Sequence, residues 1–374
     1  MAAPGAAGST GFWRPRLLWS GGWPWSRIIR KGATLLITFL MKQRLNIEMA
    51  LRVWMIIVVL LTGAQLAGAG TAPPLYTQVA GGEQEITIEK PTSVDRLALE
   101  QGVRWVTVVR QNGLKKPYKL KPGMVLKINN THIVPMEVQN GLIINLPELH
   151  LYYFQNGAYQ RRYALAVGKP SWPTPTGTYK IYEKRKNPTW NVPPSIQEEM
   201  EERGYEVVTK VPAGPKNPLG KFWLGTTASG VGIHATNRPW TVGYFVSHGC
   251  IRMLPHEIEQ LFPQVEVGTP VKIIYRPIKL ALTPQGRVYL EAIPNIYQWE
   301  LHPLEWVKDM AEYYNIADRI DWDKVPPILK TRSGLAQDIT KSPADPIPAA
   351  APSPSNAPKE VRLSPLQGQE TRLE

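Results

Sequence analysis

The stretch Ser247-His248-Gly249-Cys250-Ile251-Arg252 contains the only cysteine of the 374-residue chain. A second histidine, His234, lies sixteen residues before that cysteine. A lone cysteine cannot form an intramolecular disulfide, and the glycine beside it lets a substrate approach the main chain. Histidine can activate a thiol as a nearby base. The stretch therefore predicts a reactive thiol, with a buried apolar cysteine as the alternative, and we interpret it as the site of a cysteine acyl transferase.

The composition limits the number of domains and the class of partner. At about 150 residues per domain, a chain of 374 residues predicts two or three domains. The formal charge of +13 includes +7 in residues 1–72, and the remaining +6 is spread without a dense basic run. The chain therefore lacks the basic stripe typical of nucleic-acid binding, although weak attraction to an anionic polymer or a membrane surface is compatible with it.

Residues 41–72 contain the three parts of a secretory signal peptide. Met41 is followed by basic residues up to Arg52, then by the apolar run 53–61 and by Ala67-Gly68-Ala69. The run is shorter than the ~20 residues of a bilayer-spanning helix, so we expect cleavage and export, with an uncleaved membrane anchor as the alternative. Residues 1–40 are interpreted as a spurious or disordered extension. A lone reduced thiol in an oxidising compartment favours a chemical role for Cys250.

Residues 83–135 predict a small module with the order strand, helix, helix, strand. Ile86 and Ile88 alternate with polar residues, two helical periodicities follow up to Asn112-Gly113, and residues 124–128 are the last strand. This order, together with Leu120-Lys121-Pro122-Gly123, resembles a LysM domain. The resemblance implies binding to the N-acetylglucosamine-containing glycan of cell walls. A βααβ packing module without a ligand is the alternative.

Residues 140–276 predict a mainly β domain with short helices, built as a sandwich or a barrel. Short apolar or alternating runs are separated by turn signals such as Asn156-Gly157 and the loop 172–177, which is rich in proline. The proline-punctuated segment 187–218 predicts a lid or binding loop with a short helix over 194–203. Another helix is predicted over 255–262, and a strand over 271–275 closes the domain.

Two segments follow the β domain. Residues 277–340 predict a partly helical extension, with a hairpin around Pro284-Gln285-Gly286 and a helix over 304–320. Residues 341–374 are rich in Pro, Ala and Ser and predict a disordered tail. The sequence predicts no chemistry for either segment.

The combination of His234 with Ser247-His248-Gly249-Cys250 resembles the L,D-transpeptidase catalytic domain of bacterial cell-wall enzymes, of the YkuD/ErfK type. The resemblance extends to four further stretches: Gly168-Lys169-Pro170, residues 173–177, Asn217-Pro218-Leu219-Gly220 and residues 225–236. It implies a β-sandwich of the L,D-transpeptidase type, a periplasmic location, peptidoglycan as substrate and no cofactor. One departure is Arg252, where many members of the family have asparagine.

The resemblance also implies roles for individual residues. Cys250 is the expected nucleophile, and His234 is the expected general base, oriented by a backbone carbonyl such as that of Ala235. The N–H groups of residues 249 and 250 are the expected oxyanion donors. Three residues are expected to form the oxyanion hole or to activate the thiol: Gly249, His248 and Ser247. Five residues are expected to bind substrate: Arg252, Asn237, Arg238, Tyr244 and Trp190.

Several of these expectations have alternatives. Arg252 suits a carboxylate of the stem peptide, but an internal salt bridge would also explain it. Trp190 either stacks on the substrate or, as we favour, fastens its loop. His248 either lowers the thiol pKa, binds substrate or is structural. The other four histidines lack metal-ligand spacing with the pair, so no metal is expected.

The implied reaction has two steps. The thiol attacks the bond between the third residue of a tetrapeptide stem, a diamino acid, and the terminal D-Ala, which leaves. An amine then takes the acyl group and forms a 3→3 cross-link. With other acceptors, the same site would attach an outer-membrane lipoprotein to peptidoglycan or trim stems as an L,D-carboxypeptidase. The non-enzyme alternative is a wall-binding protein that works through the LysM-like module. A papain-like protease is disfavoured because its cysteine precedes its histidine.

Overall fold

The computed structural model describes residues 73–116 and 118–341. The predicted signal peptide, the extension before it and residues 342–374 of the predicted tail lie outside the described residues. Among the described residues, no helix is both long enough and apolar enough to cross a membrane.

The segment 73–135 contains short strands and two short helices. In chain order these are β1 (Val79–Ala80), β2 (Glu83–Thr87), β3 (Thr92–Ser93), α1 (Val94–Glu100), α2 (Trp105–Asn112), β4 (Lys119–Leu120), β5 (Val125–Asn129) and β6 (His132–Ile133). The strands β2 and β5 pair in antiparallel fashion on either side of the helices in sequence. Ser93 caps α1 by accepting a hydrogen bond from the Arg96 N–H, and Gly113, at φ +58°, ends α2. Glycan binding by this segment stays a prediction.

Residues 141–274 form the β domain. Its elements are β7 (Gly141–Asn145), β8 (His150–Gln155), β9 (Ala158–Gly168), β10 (Gly177–Lys186), β11 (Trp190–Asn191), α3 (Pro194–Glu202), β12 (Lys210–Val211), β13 (Phe222–Thr226), β14 (Gly232–His234), β15 (Phe245–Ser247), β16 (Ile251–Met253), α4 (Pro255–Leu261) and β17 (Pro270–Ile274). Nine strands form one mixed sheet in the order β15-β9-β16-β14-β13-β10-β17-β7-β8, and β8 also pairs with β9. The sheet therefore closes on itself. The mainly β class is confirmed. The long strands β9 and β10 each change partners along their length, so the strands divide into two groups that share these two strands, in agreement with the predicted sandwich or barrel.

The interior of this closed sheet is the main hydrophobic core. Leu142, Ile144, Leu165, Ile233 and Ile251 are fully buried there. Successive residues of a strand point to opposite faces. The neighbours of these core residues along each strand therefore point to the outer face of the sheet. The helix α4 covers part of the core and is followed by a 3-10 turn over Phe262–Gln264, so it ends one residue earlier than predicted.

The segment 278–338 has its own core and two helices. Its elements are β18 (Ile278–Leu282), β19 (Val288–Ala292), α5 (Pro303–Tyr313), α6 (Val325–Thr331) and β20 (Ala336–Asp338). The predicted helix over 304–320 is too long. It ends at Tyr313 because Asn315 adopts the left-handed conformation at φ +52°, which a right-handed helix cannot continue through.

Candidate active site

Two parallel strands place the predicted nucleophile and base. The register of β14 and β16 pairs His234 with Arg252, and the same offset sets Cys250 opposite Gly232. Alternate residues of a strand share a face, so Cys250 and Arg252 lie on the same outer face of the sheet as His234. His234 and Cys250, sixteen positions apart in sequence, are thus diagonal neighbours across β14 and the start of β16.

Trp223 contacts the His234 imidazole from β13, the strand that flanks β14 on the side opposite β16. It pairs with His234 in the sheet, and the two rings stack with centroids 5.8 Å apart. The indole has room because residue 232 is glycine: a Cβ on Gly232 would lie 2.2 Å from an atom of the Trp223 ring. The indole N–H donates to Oε1 of Glu183 at 2.8 Å. The sequence did not indicate a role for Trp223, because a single tryptophan in an apolar run carries no signal of what it stacks on.

The backbone fixes which nitrogen of His234 carries the proton. Nδ1 lies 2.5 Å from the Ala235 carbonyl oxygen, so Nδ1 donates and Nε2 is left as the basic nitrogen. Burial lowers the pKa of His234 to about 4, with a further contribution from Arg252, against the opposing effect of the carbonyls of Ala235 and Leu219. The imidazole is therefore neutral near pH 7 and able to accept a proton.

The thiol of Cys250 is partly exposed, and Sγ lies 3.4 Å from the carbonyl oxygen of Gly230. Burial raises the pKa of Cys250, although the backbone of Gly232 and the charge of Arg252 act against the rise. Within residues 73–116 and 118–341, no hydrogen bond joins Sγ to the His234 imidazole. The resting site is thus a neutral thiol beside a neutral imidazole, and ionisation of the thiol requires proton transfer.

The turn before the cysteine is held by Ser247 and Thr174. Ser247 Oγ donates to the Cys250 carbonyl at 2.5 Å and accepts from the Gly249 N–H at 3.2 Å, while Thr174 Oγ1 donates to the Gly249 carbonyl at 2.8 Å. Gly249 has φ +103°, which favours glycine. Because its N–H already has a partner, the geometry does not support Gly249 as an oxyanion donor. The Cys250 N–H remains the predicted donor.

The side chain of His248 is engaged with the segment 187–218. Its Nε2 hydrogen-bonds to the carboxylate of Glu199 on α3, lies 3.4 Å from Lys169 Nζ, and its ring meets Trp172 edge-on at 4.8 Å. Burial lowers the pKa of His248 overall, against the opposing effect of Glu199. Of the roles left open for His248, this arrangement favours the structural one.

Glu199 connects the helix α3 to the loop that carries the thiol. Besides His248, its carboxylate contacts Lys169 at 3.5 Å and Arg203 at 2.5 Å. Burial acts to raise the pKa of Glu199, but the hydrogen bond and charge of His248, with the two cations, lower it overall. Glu199 was not predicted, because nothing in the sequence pairs an acid on α3 with a histidine 49 residues away.

Three predicted substrate residues lie around this outer face. Arg252 Nη1 lies 3.4 Å from Thr241 Oγ1, and no ion pair to an acid involves it in the described part of the chain, which disfavours the internal salt bridge. Arg238 is exposed, and its charge is close enough to lower the pKa of Arg252 after the larger effect of burial. Asn237 donates to the Lys216 carbonyl at 3.0 Å, while its Oδ1 is buried without a partner among the described residues.

The other two predicted substrate residues are placed elsewhere. Trp190 is half-buried in the short hairpin of β11 and β12, where it pairs with Val211. That position agrees with the fastening role. Tyr244 is exposed and lines a cleft that also contains Asp95 and Leu254. Neither side chain makes a hydrogen bond or ring contact with Cys250 or His234 within the described residues.

The C-terminal segment contributes a residue that the sequence did not indicate. The Tyr297 hydroxyl donates to the Gly168 carbonyl at 2.8 Å and accepts from the Thr174 N–H at 3.3 Å, and Gly168 in turn donates to Thr174 Oγ1. Tyr297 is buried. It therefore supports the loop that bonds to Gly249. Across residues 73–116 and 118–341, no group of three or more His, Cys, Asp or Glu is arranged to hold a metal ion.

Comparison with known proteins gives the family. Residues 139–273 match the family model YkuD, the L,D-transpeptidase catalytic domain. The probable L,D-transpeptidase YbiS of Escherichia coli (strain K12) is 32% identical over 221 residues, which are 58% of this chain and 71% of that relative. The chain belongs to the L,D-transpeptidase family. A second relative, the probable L,D-transpeptidase YcfS of the same strain, is 29% identical over 285 residues, which are 73% of this chain and 89% of the relative.

Among solved structures, the NMR structure of the catalytic domain from the E. faecium L,D-transpeptidase matches 37% of this chain and 99% of that chain, at 25% identity and a TM-score of 0.29. The family assignment rests on the family model and the sequence relatives. The chain is thus an enzyme with an L,D-transpeptidase catalytic domain, and the alternative of a wall-binding protein without activity is wrong.

Proposed function

We propose that this L,D-transpeptidase cross-links the stem peptides of peptidoglycan, with Cys250 as nucleophile and His234 as general base. The observation that carries the proposal is their shared position on one face of two adjacent parallel strands. The carbonyl of Ala235 holds the imidazole in the tautomer that leaves Nε2 basic. Peptidoglycan as partner also follows from the family to which the chain belongs.

In the first step, Sγ of Cys250 attacks the carbonyl carbon of the third residue of a tetrapeptide stem. The thiol proton passes to His234 Nε2, and the carbonyl oxygen gains negative charge that the Cys250 N–H stabilises. The C–N bond then breaks, and the D-Ala amine leaves with the proton from His234. The product of this step is a thioester on Cys250.

In the second step, an acceptor amine attacks the thioester carbonyl and gives a proton to His234. The C–S bond breaks, and the sulfur recovers the proton, so the enzyme returns to its starting state. A diamino acid of a second stem as acceptor gives a 3→3 cross-link. Water would give a tripeptide stem, and a lipoprotein amine would give a protein attached to the wall.

Arg252 and Asn237 fit the polar groups of such a stem. Arg252 has no acidic partner in the described structure, and a guanidinium binds a carboxylate through two parallel hydrogen bonds. The unpartnered Oδ1 of Asn237 accepts from an N–H of the peptide. We therefore assign Arg252 to a free carboxylate of the donor stem.

We further propose that the enzyme works in the periplasm and that residues 83–135 bind glycan as a LysM-like module. The signal-peptide pattern of residues 41–72 supports export, and the order of β2, α1, α2 and β5 supports the module. N-terminal sequencing of the native protein tests export: a first residue close after Ala69 is expected, and a peptide from residues 1–40 would contradict both cleavage and the view that these residues are spurious.

Incubation of the purified protein with disaccharide-tetrapeptide tests the reaction. Mass spectrometry is expected to show a dimer with one D-Ala lost. Release of D-Ala with only tripeptide as product would make the enzyme a carboxypeptidase. An unchanged substrate, in a protein whose thiol alkylates normally, would overturn the proposed function.

The contact between Glu199 and His248 gives a prediction for the segment 187–218. The Glu199→Gln variant loses the charge that Lys169 and Arg203 share, so we expect a rate of dimer formation about fivefold lower and faster hydrogen exchange over 187–218. Because the pKa of Glu199 is lowered, the wild-type contact is complete above the usual carboxyl range and is lost as pH falls through the lowered value.

Glu198 on the same helix is the matched control, because it is exposed and its side chain makes no hydrogen bond or ion pair in the described structure. Glu198→Gln should leave both the rate and the exchange of 187–218 unchanged. Equal behaviour of the two variants would show that the Glu199 contact does not hold this segment.

A further inference from the structure

A cleft of about 1050 Å³ lies beside the strand β9, which lines it with Arg162 and Ala164. Besides β9, its lining comes from α1 with the start of α2, the residues 147–150, the loop 239–245 before the thiol turn, the residues 254–256 and the segment 291–296. Its floor is the small apolar cluster of Leu99, Ala164, Val242 and Leu254. Ala164 lies on the same outer face of the sheet as Ala166, which pairs with Arg252, but neither Cys250 nor His234 lines the cleft.

Three aromatic side chains in this cleft are unusually exposed for their size. Trp240 is 71% exposed, Tyr244 45% and Trp105 37%. Large aromatic rings that line a concave surface offer flat apolar faces for stacking, and Tyr and Trp add a polar group at the edge. Trp240 and Tyr244 lie on one wall, and Trp105 lies on another. The cleft is therefore shaped for a ligand with flat apolar faces.

A buried acceptor on the cleft wall has no partner. His150 Nδ1 donates to the Glu148 carbonyl at 2.7 Å, which leaves Nε2 as an acceptor. Nε2 is buried and makes no hydrogen bond among the described residues. Burial, with a contribution from Arg162, lowers the pKa of His150 to about 3, so the ring is neutral. A buried acceptor of this kind calls for a donor such as a hydroxyl group.

The charged residues of the cleft are mostly paired within the protein. Arg104 and Arg162 donate to backbone carbonyls, and Arg96 pairs with Glu100 at 3.0 Å. The carboxylates of Glu148 and Glu291 both pair with Lys279. Asp95 on α1 is left without an ion pair in the described structure, close enough to raise the pKa of Tyr244 after burial. The cleft therefore has no excess of positive or negative charge, which disfavours a charged ligand.

We propose that this cleft binds a neutral saccharide chain through stacking on Trp240 and Tyr244 and a hydroxyl donated to His150 Nε2. Sugars combine apolar ring faces with many hydroxyl donors, which are the two properties that the walls require. On the strength of the proposed function, the occupant is the glycan strand that carries the donor stem. Asp95 accepts a further hydroxyl at the rim.

The distance from the cleft to the thiol fits a stem peptide. On β9, Ala164 lines the cleft and Gly168 pairs with Ser247, four residue steps away, or ~13 Å at ~3.3 Å per residue. An extended chain covers a similar ~3.3–3.6 Å per residue, so three or four residues of a stem reach from the cleft to Cys250. The loop 235–246 borders both places, since Thr241 contacts Arg252 and Trp240 lines the cleft.

Calorimetric titration of the full-length protein with the N-acetylglucosamine tetramer tests the cleft. Trp240→Ala is expected to weaken binding about tenfold, and because the ring is 71% exposed its removal should not affect folding. Tyr182→Ala is the matched control, since Tyr182 is 54% exposed on β10 outside the cleft. Equal affinity of these two variants, or no binding by the wild type, would overturn the proposal.

The same titration on Cys250→Ser separates the cleft from the chemistry. Binding that persists in Cys250→Ser and is weakened by Trp240→Ala supports the cleft whatever the enzyme does with stems. Dimer formation by a wild-type protein that does not bind the tetramer would overturn the cleft and leave the proposed function standing. Tetramer binding that depends on Trp240, in a protein that never releases D-Ala, would support the cleft and overturn the proposed function.

Discussion

Replacing Cys250 by alanine is expected to abolish formation of 3→3-linked muropeptides, with a fall in rate of at least ~10⁴-fold. Without Sγ no thioester forms, and because Cys250 is the only cysteine, the neutral His234 has no thiol from which to take a proton. Intact-mass spectrometry of the protein with disaccharide-tetrapeptide checks this directly: the wild type should gain the mass of the acyl group, and the variant should gain none.

The folding of Cys250→Ala should be unaffected, because Cys250 is partly exposed and its thiol makes only weak contacts with the backbone, such as that with the Gly230 carbonyl at 3.4 Å. A thermal melt of both proteins is the control for folding. Since Cys250 is the only cysteine in the chain, alkylation by iodoacetamide labels one site and should inactivate the wild type in proportion to labelling. Wild-type rates of cross-linking by pure Cys250→Ala would remove the nucleophile from the proposed mechanism.

Replacing Lys279 by methionine is expected to lower the free energy of unfolding by ~3–5 kcal/mol. Lys279 is fully buried, and its Nζ contacts the Ile133 carbonyl at 2.6 Å, Glu148 at 2.5 Å and Glu291 at 3.1 Å. Methionine fills similar space but leaves two buried carboxyl groups without their cation. Urea unfolding at pH 7 measures the loss, and Lys324→Met, whose partner Asp321 is partly exposed, should cost below ~1 kcal/mol.

The pH dependence of this loss follows from the two carboxyl groups. Burial acts to raise the pKa of Glu148, but Lys279 and the hydrogen bond with Glu291 together lower that pKa overall. Burial raises the pKa of Glu291 against the opposing charge of Lys279, and the neighbouring Glu148 adds to the rise. The contribution of Glu148 to wild-type stability is thus complete above its unfolded pKa and is lost as pH falls through the lowered one. Without Lys279 the pKa values of both carboxyl groups rise, so these groups are more readily protonated in the variant. Protonation removes buried negative charge, and the loss in free energy of unfolding should therefore be smaller at pH 5 than at pH 7. An equal loss in free energy of unfolding at pH 5 and pH 7 would show that buried charge does not cause the destabilisation of Lys279→Met.

The residues of the candidate site could be selected from the sequence because they lie in short local patterns. Ser247-His248-Gly249-Cys250 and the histidine sixteen residues earlier were sufficient to place the thiol and a base, and turn residues marked most of the strands around them. The strand β15 could not be predicted, because it is three residues long and apolar alternation over so short a run does not indicate a strand.

The supporting contacts could not be predicted, because they join residues that are far apart in the chain. Glu199 meets His248 across 49 residues, and Tyr297 meets Gly168 across 129. The periodicity of apolar residues along the chain does not indicate such pairs. The same reason applies to Gly249, which was expected to be an oxyanion donor. Only the geometry shows that its N–H already bonds to Ser247 Oγ.

The closure of the sheet has a consequence for the order in which the protein folds. The hairpin of β8 and β9 joins neighbouring residues, whereas β7 finds its second partner only in β17, where Leu142 pairs with Val271. Until β17 has been synthesised, one edge of β7 has no strand to bond to. Such a distant pairing is slow, because chain entropy is lost before the contacts form. The barrel is therefore completed late, and a chain interrupted before residue 270 exposes an apolar strand edge that can pair with another copy.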